Sequence, residues 1–259
     1  MTMEYATIAI EAAKAGGVVA EHYFETALVK REKDDTSIVT RADEESERAI
    51  IEVLKKHTPD FSIAGEEGGE VVGSQPYRWH VDPIDGTSNF ANSIPLFAVS
   101  VGLEKDGELI AGVVYNPVIP SLFYAEKGQG AFWNDGIPLH VSSQRASEGM
   151  VTYGRSRKPE DREPSEVLRA ELSRSAKSAR VFGCCALELA YVARGGTEGF
   201  VCLGLSTWDY AAGVLLVQEA GGRVSDLSGN PWEFGNGYFL ASNGVVHNDI
   251  VAITKKLYT

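Results

Sequence analysis

Two aspartates three positions apart, Asp82 and Asp85, follow an apolar stretch and are followed at once by Gly86 and Thr87. Pro83 between them lacks an amide donor and biases Asp82 toward an extended conformation, while Gly86 allows a sharp bend. Carboxylates that converge in this way repel each other unless a cation lies between them, and oxygen ligands suit Mg²⁺, Mn²⁺ or Ca²⁺. The spacing therefore predicts a metal site at the end of a strand.

An ordinary surface turn is the alternative interpretation of segment 82–86, since Asp, Pro and Gly dominate turns for local reasons. Apolar residues within and around the segment, Val81, Ile84 and Phe90, favour a buried setting, because a solvent-exposed turn does not need them. Gly86 and Thr87 also open a predicted helical turn, and the unpaired amides of a helix start favour phosphate. We therefore expect an anion site beside the metal site.

Three other acidic motifs could supply groups to the same site. Glu66 and Glu67 lie among glycines after a predicted strand, Asp43 lies in a Thr-x-x-Asp spacing, and Asp209 opens a predicted helix. Each has a purely structural alternative, respectively a solvated loop, a capping box and an N-cap. Asp43 could also accept a proton from the Thr87 hydroxyl. The sequence leaves these alternatives open.

Motifs of several other enzyme classes are absent. The chain has no Walker motif, no Gly-x-Gly-x-x-Gly, no Gly-x-Ser-x-Gly, no His-Glu-x-x-His and no Asp-x-Asp pattern of an aspartyl-phosphate nucleophile. The histidines are dispersed, and His80 within a strand pattern is interpreted as a packed or paired residue. A phosphorylated aspartate intermediate is therefore not expected.

The composition of the chain restricts the binding partners and the cellular location that we expect for the protein. The net charge of −12 argues against nucleic acid and against an anionic membrane as partners. Cys184, Cys185 and Cys202 are odd in number and lack a Cys-x-x-Cys motif, which favours reduced, buried thiols. The first residues lack a signal-peptide core, and no apolar run reaches about 18 residues. We expect a cytoplasmic protein that acts on a small molecule.

Hydrophobic periodicity predicts a strand-rich first half and a second half in which helices and strands alternate. The predicted helices cover 3–27, 41–57, 161–174, 185–194, 209–220 and 248–257. The predicted strands cover 61–64, 77–81, 96–103, 108–115, 122–125, 130–133, 179–183, 198–203, 222–226 and 237–241. Polar residues 142–165 are predicted to form a loop that divides one domain, 1–259, into subdomains 1–145 and 146–259. The pattern predicts an α+β fold of stacked helix and sheet layers.

Three motifs in order carry a family resemblance: Gly65-Glu66-Glu67, then 82–90, then Trp208–Gly213 with Glu219–Gly222. The chain resembles, nearly end to end, the inositol monophosphatase family of Mg²⁺-dependent phosphomonoesterases within the fructose-1,6-bisphosphatase-like fold. The resemblance implies a layered αβαβα sandwich, a homodimer, and two to three Mg²⁺ ions per site, with Mn²⁺ as a possible substitute.

The resemblance also implies a set of metal ligands. Glu66, Asp82 and the Ile84 carbonyl would bind the first ion. Asp82, Asp85 and Asp209 would bind the second, and Glu66 would contact a third, hydrated ion.

Catalytic and phosphate-binding groups follow from the same resemblance. The Gly86 and Thr87 amides would hold phosphate oxygens, and Thr87 with Asp43 would orient the nucleophilic water. Lys33 matches a loop lysine that approaches the active site.

Substrate-side residues are predicted where the chain departs from the family pattern. Cys202 stands where inositol-preferring members carry an acid, and Cys184 and Cys185 lie in a loop that usually touches substrate. Arg155, with its basic neighbours Arg157 and Lys158, could bind a second phosphate, or could form a solvated loop.

The sequence therefore leaves four candidate functions open. The first is inositol-1-phosphatase-like hydrolysis, and fructose-1,6-bisphosphatase and histidinol-phosphate phosphatase activities at the same site are the enzymatic alternatives. A regulatory protein that binds metal or a phosphometabolite without turnover is the non-enzymatic alternative.

Overall fold

The structure, a computed structural model, describes residues 3–24, 30–32, 38–154, 156 and 158–258. Its helices are α1 Glu4–Tyr23, α2 Arg41–His57, α3 Thr87–Ala91, α4 Arg162–Ser175, α5 Cys185–Ala193, α6 Thr207–Glu219 and α7 His247–Thr254, with a short 3-10 helix over Pro159–Asp161. Its strands are β1 Lys30–Glu32, β2 Ile38–Thr40, β3 Ser62–Gly65, β4 Gly69–Val71, β5 Tyr77–Asp85, β6 Ala98–Lys105, β7 Glu108–Asn116, β8 Ser121–Glu126, β9 Gly130–Trp133, β10 Ile137–Pro138, β11 Met150–Tyr153, β12 Ser178–Arg180, β13 Gly199–Leu203, β14 Arg223–Asp226 and β15 Tyr238–Ser242.

Two large sheets organise the molecule. The first has eight strands in the order β10-β9-β8-β7-β6-β5-β3-β4, and all its neighbours are antiparallel except the parallel pair β3 and β5. The second has five strands in the order β12-β11-β13-β15-β14, parallel from β12 to β13 and antiparallel beyond. Strands β1 and β2 pair separately.

Helices fill the space around and between the sheets. α1 and α2 cover one face of the first sheet, α5 and α6 lie between the two sheets, and α4 and α7 cover the far face of the second. Eight successive residues of α6, 210–217, are buried, because a helix between two sheets has no solvent-facing side. The predicted layered αβαβα sandwich is confirmed.

The turn between β6 and β7 shows how local sequence sets the register. Lys105 pairs with Glu108, so only Asp106 and Gly107 form the turn, with φ of 51° and 84°. Positive φ at both central residues is what a type I′ hairpin turn requires, and it is typical of Asp-Gly. The strands predicted over 96–103 and 108–115 are therefore joined as a hairpin.

Several predicted boundaries were wrong. The loop predicted over 142–165 contains β11, an interior strand of the second sheet, and α4 begins near its end. Four residues of strand, Met150–Tyr153, are too short to show a clear alternation in sequence. Strand β5 runs to Asp85, beyond the predicted end at 81. The division into two subdomains stays a prediction.

None of the helices that the structure describes has the length and apolar character needed to cross a membrane.

Candidate active site

A β-bulge brings the two aspartates of the central motif to one side of the sheet. In a regular strand, residues three apart point to opposite faces. The pairing of β5 with β6 shifts register between Asp82 and Asp85, next to Pro83, which has no amide for the ladder. An extra residue in one strand re-aims the side chains that follow it. Both aspartates consequently line the same cleft.

Helix α6 delivers a third carboxylate to this cleft. Ser206 and Asp209 form a capping box, in which the Asp209 Oδ2 atom accepts the Ser206 amide at 2.7 Å. Asp82, Asp85 and Asp209 each offer an oxygen atom within 4.8 Å of the others. Asp209 is therefore the N3 residue of α6 and not its N-cap, and it both caps the helix and approaches the aspartates of β5.

The electrostatics of this cluster are unfavourable without a cation. Burial, followed by the charges of neighbouring carboxylates, raises the pKa of Asp82 well above its usual range; those carboxylates are Glu66, Asp85, Asp209 and Asp43. Burial also raises the pKa of Asp85 to about 6, although hydrogen bonds from the Ala186 amide and the Cys184 thiol lower it. Each shift means that the folded chain resists ionising these groups, which a bound cation would reverse.

Glu66 approaches the cluster from β3 without joining it. It lines the same cleft, and its amide donates to the Val81 carbonyl at 3.2 Å, but its carboxylate is not part of the 4.8 Å group. The following turn is held by Glu47 of α2, whose carboxylate accepts the amides of Glu67 at 2.9 Å and Gly68 at 2.6 Å.

Gly86 and Thr87 form the floor of the cleft beside the cluster. Gly86 has φ of 92°, and a Cβ there would lie 2.9 Å from the Leu96 carbonyl oxygen, so glycine is required. Thr87 begins α3 and donates its hydroxyl to the Ile84 carbonyl at 3.1 Å. Ile84 itself is buried, and all three residues line the cleft.

Asp43 and His80 are both buried, and neither lines the cleft. Asp43 is in the first turn of α2, 1% exposed, and close enough to Asp82 to raise the pKa of that carboxyl. His80 is buried, with Nδ1 2.9 Å from the Thr207 hydroxyl and its ring edge against Phe234. The interpretation of His80 as a packed, paired residue is confirmed.

The structure places only some of the predicted substrate-side residues at the cleft. Cys184 and Cys185 line the cleft, and the Cys184 thiol donates to Asp85 at 3.1 Å. Cys202 is fully buried on β13, where its thiol donates to the Gly237 carbonyl at 3.2 Å, so the structure does not bring it to the cleft. Arg155, Arg157 and Lys33 lie outside the described residues, and Lys158 lies over the Tyr238 ring.

Two acidic residues of the site were missed by the sequence reasoning. Glu188 of α5 lines the cleft, and its buried carboxylate accepts the Phe182 amide at 2.9 Å. Glu47 is buried behind the Glu66 turn. A carboxylate within the otherwise apolar run 185–193 was a readable signal for Glu188. No comparable sequence signal marked Glu47, because α2 also carries acidic residues on its solvent-facing side.

Comparisons with known proteins agree with this architecture. The model of the inositol monophosphatase family matches residues 1–258. The inositol-1-monophosphatase of Mesorhizobium japonicum is 41% identical over 84% of this chain and 83% of its own length. The fructose-1,6-bisphosphatase/inositol-1-monophosphatase of Thermotoga maritima is 34% identical over 94% of this chain and 93% of its own. The crystal structure of the extragenic suppressor protein suhB from Bartonella henselae superposes with a TM-score of 0.92 at 37% identity, covering 98% of this chain and 99% of that one.

Fold and site together define a phosphomonoester hydrolase of layered α and β architecture with an acidic cluster that could bind metal. The chain belongs to the inositol monophosphatase family.

Proposed function

We propose that this chain hydrolyses a small-molecule phosphate monoester of the inositol 1-phosphate type with Mg²⁺ bound between its acidic side chains. The observation that carries the proposal is the approach of Asp82, Asp85 and Asp209 to within 4.8 Å of one another in a cleft. Carboxylates at this distance repel one another unless a cation lies between them, and the burial of Asp82 and Asp85 strengthens that repulsion.

The donor set fits a hard divalent cation. The three residues of the cluster are all aspartates, with no imidazole or thiolate among them, which favours Mg²⁺ or Mn²⁺ over zinc. We infer one ion between Glu66, Asp82 and the Ile84 carbonyl, a second between Asp82, Asp85 and Asp209, and a third, hydrated ion at Glu66. Bound there, such ions would lower the pKa of water and neutralise phosphoryl charge.

The residues of the chain itself would bind and orient the reactants. The Gly86 and Thr87 amides would hold phosphate oxygens, as helix starts do. A threonine hydroxyl is one donor and a double acceptor, so Thr87 can accept a water hydrogen while it donates to the Ile84 carbonyl. With Asp43 behind it, Thr87 would position that water for in-line attack.

The alcohol side of the cleft is the part that sets the substrate. Its walls include Gly154, Val181, Leu205 and the two adjacent cysteines, together with Glu188. Fructose 1,6-bisphosphate is the second candidate substrate, because the Thermotoga maritima relative is named for both activities. Arg155 would then bind the second phosphate of that substrate. Histidinol phosphate remains the third.

Phosphate release from a panel of esters tests the proposal directly. Inositol 1-phosphate, fructose 1,6-bisphosphate and histidinol phosphate are compared with and without Mg²⁺, using Asp85→Asn as the inactive reference. We expect release that needs Mg²⁺ and is lost in Asp85→Asn, and hydrolysis in ¹⁸O-labelled water with inversion at phosphorus. Metal-independent release or a trapped phosphoenzyme would refute the mechanism.

Binding of the same esters without any turnover would instead support the regulatory alternative.

The expected homodimer is tested by light scattering of the purified chain, and the expected cytoplasmic location is tested by fractionation of cells that produce it.

A further inference from the structure

We propose that His80 and Thr207 are positioning residues, whose side-chain hydrogen bond fixes Asp209 against Asp82 and thereby sets the metal affinity of the cluster. This inference rests on the proposed function, because it requires that the cluster binds cations.

The two residues stand at equivalent places on the two elements that supply the ligands. His80 precedes Asp82 by two positions on β5, ahead of the bulge, so both side chains share one face of the strand. Thr207 precedes Asp209 by two positions in the first turn of α6. The 2.9 Å contact between His80 Nδ1 and the Thr207 hydroxyl therefore joins strand to helix immediately beside the cluster.

The other ring nitrogen of His80 leaves Nδ1 as the nitrogen that makes a hydrogen bond. Nε2 is buried and lies 3.9 Å from the Glu104 carboxylate, which is beyond hydrogen-bond distance. A threonine hydroxyl can both donate and accept, so the contact between Nδ1 and Thr207 can form in either tautomer of the ring.

A second bond reinforces the first. Ser100 of β6 is the cross-strand partner of Asp82, and its buried hydroxyl donates to the Trp208 carbonyl at 3.0 Å. The start of α6 is consequently attached to the first sheet at two successive residues, once through the strand that carries Asp82 and once through its neighbour.

The sheet below α6 is shaped to let the helix come close. A Cβ at Gly102 would lie 2.7 Å from the Ala211 Cβ, and a Cβ at Gly112 would lie 2.8 Å from the Ala212 Cα. The glycines allow close approach but do not fix how the helix rotates or slides. Directional bonds at Thr207 and Trp208 supply that constraint, and ligand-supporting bonds of this kind typically change metal affinity or activity by about 10–100-fold when removed.

The test measures Mn²⁺ binding to the metal-free protein by the electron paramagnetic resonance signal of free Mn²⁺. Thr207→Val keeps the shape and removes the hydroxyl, whereas Thr207→Ser keeps the hydroxyl. We expect Thr207→Val and His80→Leu each to weaken Mn²⁺ binding about 10-fold, Thr207→Ser to stay within about 3-fold of the parent, and the double variant to lose no more than either single change.

A matched control separates positioning from general stability. The Ser242 hydroxyl and His247 Nδ1 form another buried contact of the same chemistry, 2.7 Å long, within the second sheet layer. Ser242→Ala should lower the unfolding temperature and leave Mn²⁺ affinity within about 2-fold. In activity measurements, Thr207→Val should raise the half-saturating Mg²⁺ concentration while kcat at saturating Mg²⁺ and the substrate KM stay near the parent values.

Failure of this inference is distinguishable from failure of the proposed site. If Asp209→Asn loses Mn²⁺ binding but Thr207→Val and His80→Leu bind like the parent, the positioning role is wrong and the metal site stands. If Asp209→Asn also binds like the parent, the metal site itself is wrong and the inference falls with it.

Discussion

Glu47 and Gly68 lie 2.6 Å apart, carboxylate oxygen to amide nitrogen, and this bond fastens helix α2 to the turn that follows Glu66. A Cβ at Gly68 would lie 2.7 Å from the same carboxylate oxygen, so the turn closes on Glu47 only because this position is glycine. A buried charge that accepts backbone amides is stabilised by them, and the turn is held in return. The backbone that presents Glu66 to the cleft is therefore fixed from outside the cleft.

Glu47→Ala should loosen this turn and cost both stability and metal response. The amides of Glu67 and Gly68 would lose a charged hydrogen-bond acceptor, which costs about 1–3 kcal/mol in the free energy of unfolding. We expect a lower urea midpoint and a higher half-saturating Mg²⁺ concentration. Glu52→Ala, at an exposed position of the same helix, is the control and should change neither. An unaltered Mg²⁺ response in Glu47→Ala would show that the turn does not depend on this bond.

Gly86→Ala should be far more damaging than the same change at Gly107. Both glycines have positive φ, 92° and 84°, so each alanine would carry a backbone cost of about 1 kcal/mol. Only at Gly86 would the new Cβ meet other atoms, the Leu96 carbonyl oxygen at 2.9 Å and the Cys184 Cβ at 3.2 Å; none lies within 4 Å at Gly107. Phosphate release and thermal unfolding of the two variants measure the difference. Equal losses of activity and stability in the two variants would mean that the backbone at Gly86 can shift away from Leu96 and Cys184 at little cost.

The order of layers was predictable because long amphipathic segments dominate it. Helix α2 runs over Arg41–His57, as its periodicity predicts, and the hairpin of β6 and β7 follows from Asp106 and Gly107. The short strands β1, β2, β4, β10 and β11 were missed, since each has only two to four residues with polar or turn-forming residues beside them, and its pattern is not distinct from that of a loop.

The acids of the cleft were predictable from motifs, but their supports were not. The Asp82 and Asp85 spacing indicates a shared site, whereas the bulge that turns both to one face depends on pairing with β6. The contact of His80 with Thr207 joins residues 127 positions apart, and no local pattern encodes such a partner. Cys202 was placed by alignment with an acidic position, yet its side chain is fully buried beside Gly237.

Stability should fall in mildly acidic solution through His247. Burial, and then the charge of Arg223, lowers the pKa of His247 from 6.5 to about 4, and its ring nitrogens contact the Ser242 and Ser225 hydroxyls. The unfolded chain therefore binds this proton at higher pH than the folded chain, so stability is complete above pH 6.5 and is lost as the pH falls toward 4. The full effect is about 3 kcal/mol.

Comparison with His247→Gln isolates this contribution from that of other groups. Urea unfolding at a series of pH values should show a shallower decline for the variant between pH 6.5 and 4. Parallel declines for the two proteins would mean that His247 is protonated equally in the folded and unfolded states.

Glu188 should act by holding the cleft wall through the Phe182 peptide. Its carboxylate accepts the Phe182 amide at 2.9 Å, while the Asn89 side chain donates to the carbonyl of the same residue at 2.7 Å. Glu188→Gln keeps an oxygen acceptor and should stay near parental activity, whereas Glu188→Ala should raise the substrate KM several-fold. Steady-state kinetics at saturating Mg²⁺ measure both. Equal KM values for the two variants would contradict the role of the acceptor.

Asp82→Asn should separate stability from activity. Burial and four neighbouring carboxylates raise the pKa of Asp82, so ionising this side chain is unfavourable in the metal-free chain, and a neutral amide removes that cost. The amide oxygen can still accept the Ile84 amide, which now donates to Asp82 at 3.0 Å. We expect a higher unfolding temperature without metal, no further increase on adding Mg²⁺, and a loss of activity greater than about 100-fold, since Asp82 is proposed as a direct ligand and a ligand outweighs the supporting groups. Asp135→Asn removes the same charge from an exposed turn and should leave all three measurements unchanged. A Mg²⁺-dependent rise in the unfolding temperature of Asp82→Asn equal to that of the parent would show that the cation binds elsewhere.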